Sequence, residues 1–241
     1  SRGLGDVYKR QPITQVPLSN RKDIRNAVEA MNSAKAWSYS TAHLRAQILY
    51  YLAENLSART VEFTNNLQLL TGRADAKIEV EASIQRLFFY AAWADKFDGS
   101  ARSVPLKAIA LVMNEAIGNC GVICDDRYPL LGFISAMAPL FATGNRSIII
   151  PSEPFSPIVT DFYQVLDTSD VPPGTVNILT GKHTDLAIEL ASHMDIESVW
   201  SFSTSDVSRD IEKASVSNLK RTWVSNGEKR DWYDEESQGI Q

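Results

Sequence analysis

Residues 121–124 read G-V-I-C, 129–141 P-L-L-G-F-I-S-A-M-A-P-L-F, 147–150 S-I-I-I, 157–166 P-I-V-T-D-F-Y-Q-V-L and 176–179 V-N-I-L. The rhythm continues with T-D-L-A-I-E-L-A-S-H at 184–193, V-W-S-F at 199–202, V-S-R-D-I-E-K-A at 207–214 and T-W-V at 222–224. The short runs rich in β-branched and aromatic residues predict strands, and the longer stretches between them carry helical periodicity. The strands recur every 22 to 29 residues. Strand, crossover helix and parallel strand, repeated, form a mostly parallel sheet covered on both faces. Right-handed crossovers make it doubly wound, so the fold class is α/β. Thr184 and Asp185 read as the cap of the third crossover helix.

Upstream of this stretch the pattern is helical. Ile24, Val28 and Met31 share one face after the capping residues Ser19 and Asn20. Thr41 opens a second helix, on which Leu44, Ile48, Leu52 and Leu56 recur every four residues. A third helix over 58–70 stops at Gly72. Val80, Ile84, Leu87, Phe88, Ala91 and Ala94 predict a long fourth helix of about 22 residues with one buried face. Residues 108–113, A-I-A-L-V-M, predict a strand between turn signals at 98–100 and Gly118. The chain therefore divides into 1–11, which resembles translated linker sequence, a helical part at 12–98, a hairpin at 99–119, the parallel-sheet domain at 120–228 and a polar tail at 229–241. Trp232 and Tyr233 in that tail are expected to dock on a part of the parent chain outside this one.

Composition narrows the function classes. With 44% hydrophobic and 22% charged residues in 241, the chain is an ordinary globular protein and not a disordered or fibrous one. A net charge of −5 argues against a nucleic-acid partner, which calls for a basic face. The longest apolar stretch, 130–143, is shorter than the roughly 20 residues of a membrane span. Two cysteines fit a reducing, cytoplasmic compartment. Cys120 and Cys124 stand about 13 Å apart if extended, too far for a disulfide, and read as buried small hydrophobes. His43 on a helix surface, His183 in a loop and His193 at a helix end have no metal-ligand spacing, so no metal is expected.

The motifs carry a resemblance. G-V-I-C-D-D-R-Y-P-L-L at 121–131 is similar to the G-V-I-x-P-W-N-F-P-L-L segment of aldehyde dehydrogenases. A-P-L-F-A-T-G-N at 138–145, P-S-E at 151–153, P-P-G-T-V-N-I-L-T-G at 172–181, A-S-H-M-D at 191–195 and S-N-L-K-R at 217–221 follow in the family's order. F-Y-A-A-W-A-D-K-F at 89–97 resembles a helix of the same family. The degenerate D-D-R-Y-P and V-W-S-F-S stretches resemble the second, C-terminal unit of the tandem family-sixteen members. The resemblance implies a Rossmann-like cofactor domain, a projecting oligomerisation hairpin, NAD or NADP as cofactor and an oxidoreductase acting on aldehydes.

Residue by residue, this chain departs from that pattern. The oxyanion donor, an Asn in the family, falls on Arg127, longer and charged. The general base, a Glu, falls on Ser225, a hydroxyl that cannot take a proton near neutral pH without help. The nucleophilic Cys would lie beyond Gln241. At the ribose site Ile150 stands at the family's Lys place, while Ser152 and Glu153 are kept. The phosphate-cradling G-S-T-E-V-G corresponds to S-T-S-D-V-S, with Ser203 and Ser208 replacing glycines and Asp206 at the acidic place. Side chains there crowd the approach of phosphate to a helix N-terminus. Cofactor binding through Ser152, Glu153, Ser203 and Asp206 is thus expected to be weak or absent. The expected role is a non-catalytic unit that assembles with a protein partner, a second copy or an upstream aldehyde dehydrogenase unit. The alternative is the cofactor half of an NAD(P)-dependent enzyme whose cysteine lies elsewhere.

Overall fold

The computed structural model describes residues 2–5, 12–97 and 99–234. Strand β1 (Arg2–Gly5) pairs antiparallel with β2 (Pro12–Val16). Helix α1 (Arg21–Ser33) starts at a capping box: the Asn20 side chain accepts from the Lys22 N–H, and Asp23 accepts from the Asn20 N–H, both at 2.8 Å. Thr41 caps α2 (Ala42–Ala58) by accepting from the Leu44 N–H. Helix α3 (Thr60–Thr71) ends at Gly72, whose φ of 70° is left-handed, a conformation that costs glycine nothing. Helix α4 (Ala76–Ala94) is 19 residues long and buries the expected stripe, except that Phe88 is half-buried. On α2 the four-residue repeat is buried at Ile48, Leu52 and Leu56, whereas Leu44, in the first turn, is exposed.

Next comes the hairpin. β3 (Ser100–Ser103) pairs antiparallel with β4 (Ile109–Val112), and both strands lie open to solvent.

The rest is the predicted alternation: β5 (Asn119–Ile123), α5 (Pro129–Ala142), β6 (Arg146–Ile150), α6 (Pro157–Asp167), β7 (Val176–Ile178), α7 (His183–Ser192), β8 (Ser198–Ser201), α8 (Ser205–Ser215) and β9 (Arg221–Val224). All five strands are parallel, in the order β7-β6-β5-β8-β9. Because side chains alternate along a strand, the sheet feeds two cores. Cys120, Val122 and Ile149 face the core built with α2 to α6. Ile123, Ile148 and Ile150 face the core built with α1, α7 and α8. The helical N-terminal part thus splits: α1 crosses to the α7 side, and α2 to α4 cover the other face. Cys120 and Cys124 are buried free thiols, and burial pushes Cys120 up to about 12. Among the described residues no helix is long and apolar enough to cross a membrane.

Candidate functional site

The chain runs from β5 outward to β6 and β7, then returns to the other side of β5 for β8 and β9. The switch point lies between β5 and β8, and ligands of open α/β sheets bind beyond the carboxyl ends of strands there. Five segments meet at that edge: 124–128 after β5, 151–153 after β6, 179–183 after β7, 202–204 after β8 and 225–229 after β9. A cleft of about 400 Å³ opens between Asp125, Asp126, Arg127, Phe202 and the 227–229 turn.

The residues singled out at the family motifs lie along this edge, in varied states, whereas Cys120 sits near the start of β5, His43 on α2 and His193 at the end of α7. Arg127 is exposed, its guanidinium 5.1 Å from the centre of the Tyr128 ring, and its carbonyl accepts from Arg73 at 3.0 Å. It is a surface side chain fixed by stacking. Ile150, at the end of β6, is fully buried in the apolar α1/α7/α8 core. Ser152 is buried, and its Oγ has no hydrogen-bond partner among the described residues. Asp206 faces solvent and pairs with Arg209 of its own helix at 3.0 Å. Ser208 is buried, also with an unpartnered Oγ among the described residues.

Two of these residues, Glu153 and Ser203, are brought together by one that sequence reading placed elsewhere. His183 is not a loop residue: it opens α7 and is 4% exposed. Its backbone N–H donates to Glu153 Oε1 at 2.6 Å. Thr184 and Asp185 therefore do not cap α7. The N-cap position falls on Lys182, which contributes no side-chain bond, and the carboxylate from the β6 loop takes the free N–H instead. The Glu153 N–H in turn donates to Asp126 Oδ1 at 3.0 Å. The His183 ring lies between the Pro151 carbonyl, 2.8 Å from Nε2, and Ser203 Oγ, 3.1 Å from Nδ1. Ser225 Oγ donates to the Ser203 carbonyl at 3.3 Å. Glu153, His183, Ser203 and Ser225 form one hydrogen-bonded chain across β6 to β9.

A second set holds the loop after β5. Glu79, fully buried on α4, accepts from the N–H groups of Leu130 and Leu131 at the start of α5 and pairs with Arg73 at 2.7 Å. Burial is the largest influence on its carboxyl and raises it, against those three donors. Asp125 is raised by burial as well, although Trp232 Nε1 donates to its Oδ2 at 2.6 Å. Trp232 is 2% exposed: it packs edge-on to Phe202 at 4.9 Å, and its carbonyl accepts from Arg86 at 2.8 Å. The residue expected to dock outside the chain is thus buried within it, beside the switch point. Gly132 packs beside it: a Cβ there would stand 3.4 Å from the indole nitrogen, an ordinary contact. Tyr233 stacks edge-on to Tyr128 at 5.0 Å. The sequence signal for Glu79 and Arg86 is their seven-residue spacing on the apolar stripe of α4, where a charge is buried only with a partner.

Comparison with known proteins agrees with this architecture. Residues 6–232 match the model of the aldehyde dehydrogenase family. The chain is 31% identical over 217 residues to omega-crystallin of Enteroctopus dofleini, covering 87% of this chain and 44% of that protein. It is 28% identical to human retinaldehyde dehydrogenase 3, over 91% of this chain and 44% of the relative. Among solved structures, PnpE from Pseudomonas sp. WBC-3 superposes with a TM-score of 0.87 at 26% identity, covering 92% of this chain and 46% of that one. PnpE in complex with nicotinamide adenine dinucleotide gives 0.88 at 26% identity, over 92% and 47%. The chain spans somewhat less than half the length of these relatives. Strand order, motif order and a match over nearly the whole sequence agree, and the chain belongs to the aldehyde dehydrogenase family.

Proposed function

We propose that this chain is an aldehyde-dehydrogenase-fold unit that does not itself oxidise aldehydes and acts by assembling with another protein chain or unit. The observation that carries this reading is the engagement of Glu153. The carboxylate at the family's ribose place closes the N-terminus of α7, its Oε1 accepting from the His183 N–H at 2.6 Å. The surrounding residues do not fit a dinucleotide either. Ile150 is buried and apolar where a ribose donor would stand, and the Ser203 hydroxyl bonds to His183 where glycine would leave backbone free for phosphate. Among the described residues Ser225, at the base position, hydrogen-bonds only to backbone, and Arg127 is exposed and stacked on Tyr128. The degenerate motifs support a relation to the second unit of tandem family members, and the open hairpin β3–β4 supports assembly with a copy or an upstream unit.

One observation favours the second reading, a cofactor half whose cysteine lies outside this chain: the five-stranded parallel sheet and its switch point are intact, and PnpE, 26% identical, holds the dinucleotide on that fold. Aldehyde-dependent NADH formation by the full chain at millimolar NAD separates the two. The first reading expects no rate above the protein-free control. Turnover that depends on chain, aldehyde and NAD together overturns it.

A further inference from the structure

Three aromatic rings meet one cation beyond the ends of β8 and β9. The Arg230 guanidinium carbon lies 5.1 Å from the centre of the Trp223 ring, 5.2 Å from that of Trp232 and 5.9 Å from that of Phe202. All three distances fall within the roughly 6 Å over which a ring face attracts a cation. The rings also brace one another. Phe202 meets Trp223 near-perpendicularly at 5.2 Å and Trp232 in the same way at 4.9 Å. Trp200 of β8 holds Trp223 from a further side, again edge-on, at 5.2 Å. Phe202 and Trp232 are buried, and Trp232 is pinned through Asp125 and Arg86. Trp223 is 43% exposed, so one wall of this cage reaches solvent.

Arg230 enters the cage from the segment that follows a tight turn. The Glu228 N–H donates to the Ser225 carbonyl at 2.9 Å, and Asn226 and Gly227 take left-handed φ values of 52° and 81°. The Arg230 side chain is half-buried and can swing out by rotation about its own bonds, while Trp232 keeps its place as a wall. Burial, the largest influence on Arg230, lowers its guanidinium from the ordinary value. A cavity of about 280 Å³ adjoins the cage, with Phe202, Trp223, Glu228 and Arg230 in its lining. At about 30 Å³ for each water it has room for a small organic cation beside a carboxylate. A guanidinium is planar, weakly hydrated and stacks on ring faces, whereas a lysine ammonium is compact and strongly hydrated.

We propose that Phe202, Trp223 and Trp232 form a binding site for a guanidinium cation, free or carried on an arginine side chain, with Arg230 as its displaceable resident. The site is separate from aldehyde oxidation and from the dinucleotide edge at Glu153. Arg230 acts as a gate: it keeps the rings covered until an external guanidinium takes its place.

The test is tryptophan fluorescence of the full chain titrated with methylguanidinium, for a free cation, and with N-acetyl-arginine amide, for a side chain. In Arg230→Ala, whose cage has lost its resident, a saturable change is expected. In the unmodified chain the same change should need about tenfold more ligand, as when a resident leaves the site open about a tenth of the time. Trp223→Ala added to Arg230→Ala, at the exposed wall and checked for folding by circular dichroism, should abolish it. Whichever of the two ligands saturates assigns the source. N-acetyl-lysine amide is expected to bind at least about tenfold more weakly. No saturable change with either guanidinium ligand, an unchanged titration in the folded double variant, or equal affinity for the lysine amide overturns the proposal. The unmodified chain needs no variant, and a flat titration there overturns it as well. NADH formation that overturned the reading above would leave these titrations as they are, so the two fail separately.

Discussion

By the sequence resemblance Glu153 and Ser203 correspond to ligand-facing positions of the family, and here Glu153 Oε1 accepts from the His183 N–H while Ser203 Oγ lies 3.1 Å from His183 Nδ1. Restoring the lost groups should therefore have a measurable effect: Ile150→Lys with Ser203→Gly is expected to raise NAD affinity above that of the unmodified chain, read by isothermal titration. An unchanged affinity would show that Glu153 alone closes the site. Trp232 carries a different weight. Its indole packs beside Gly132, bonds Asp125 and packs on Phe202. Trp232→Ala should cost about 3–5 kcal/mol in denaturant unfolding, as large-to-small aromatic changes in cores do. A cost under 1 kcal/mol would mean that the tail is only loosely held. Arg127, Ile150, Ser203 and Ser225 were legible in sequence because each stands in a motif of fixed order. His183, Glu79 and Trp232 were not, because their partners lie 20, 51 and 107 residues away along the chain. A single sequence shows periodicity and local spacing, and these contacts exist only once β6, β8 and α5 are packed.

Elements were more legible than contacts. The β-branched runs found all five parallel strands: Val122 and Ile123 in β5 and Ile148 to Ile150 in β6 fill positions buried on both faces, although these strands open on the buried polar residues Asn119 and Arg146. Their order, β7-β6-β5-β8-β9, could not be read from periodicity, which says nothing of which neighbour a strand chooses. Ile149 sits in β6 between β5 and β7, fully buried. Ile149→Ala should cost about 2–5 kcal/mol, and a change under 0.5 kcal/mol in chemical denaturation would contradict its central place. At the start of α5, Glu79 gives a pH signature. Burial raises its carboxyl, so the folded chain holds that proton to higher pH than the unfolded one. Its share of stability is present at low pH and is lost as pH rises from about 4.3 through the raised value. Denaturant midpoints between pH 4.5 and 7 should thus fall less in Glu79→Gln than in the unmodified chain. A steeper fall in the variant would reverse the assigned sign.

Among the described residues an uncovered apolar surface gathers on one hairpin. On the β3–β4 hairpin and its flanks Leu106, Ile109, Leu111 and Met113 are 76%, 75%, 72% and 78% exposed. Both faces of the main sheet already have helices, so nothing among the described residues covers them, and a lone hairpin with an apolar face is marginal in water. Self-association at micromolar concentration is expected in sedimentation velocity, with Leu111→Lys shifting the chain toward monomer at an unchanged unfolding midpoint. A clean monomer for the unmodified chain would contradict this.

The central claim is that a family fold is retained here while its cofactor site is closed by its own side chains. Isothermal titration of the full chain with NAD tests it most directly. The expected result is no saturable binding below about 1 mM, a free energy weaker than about −4 kcal/mol. A low-micromolar dissociation constant would contradict it.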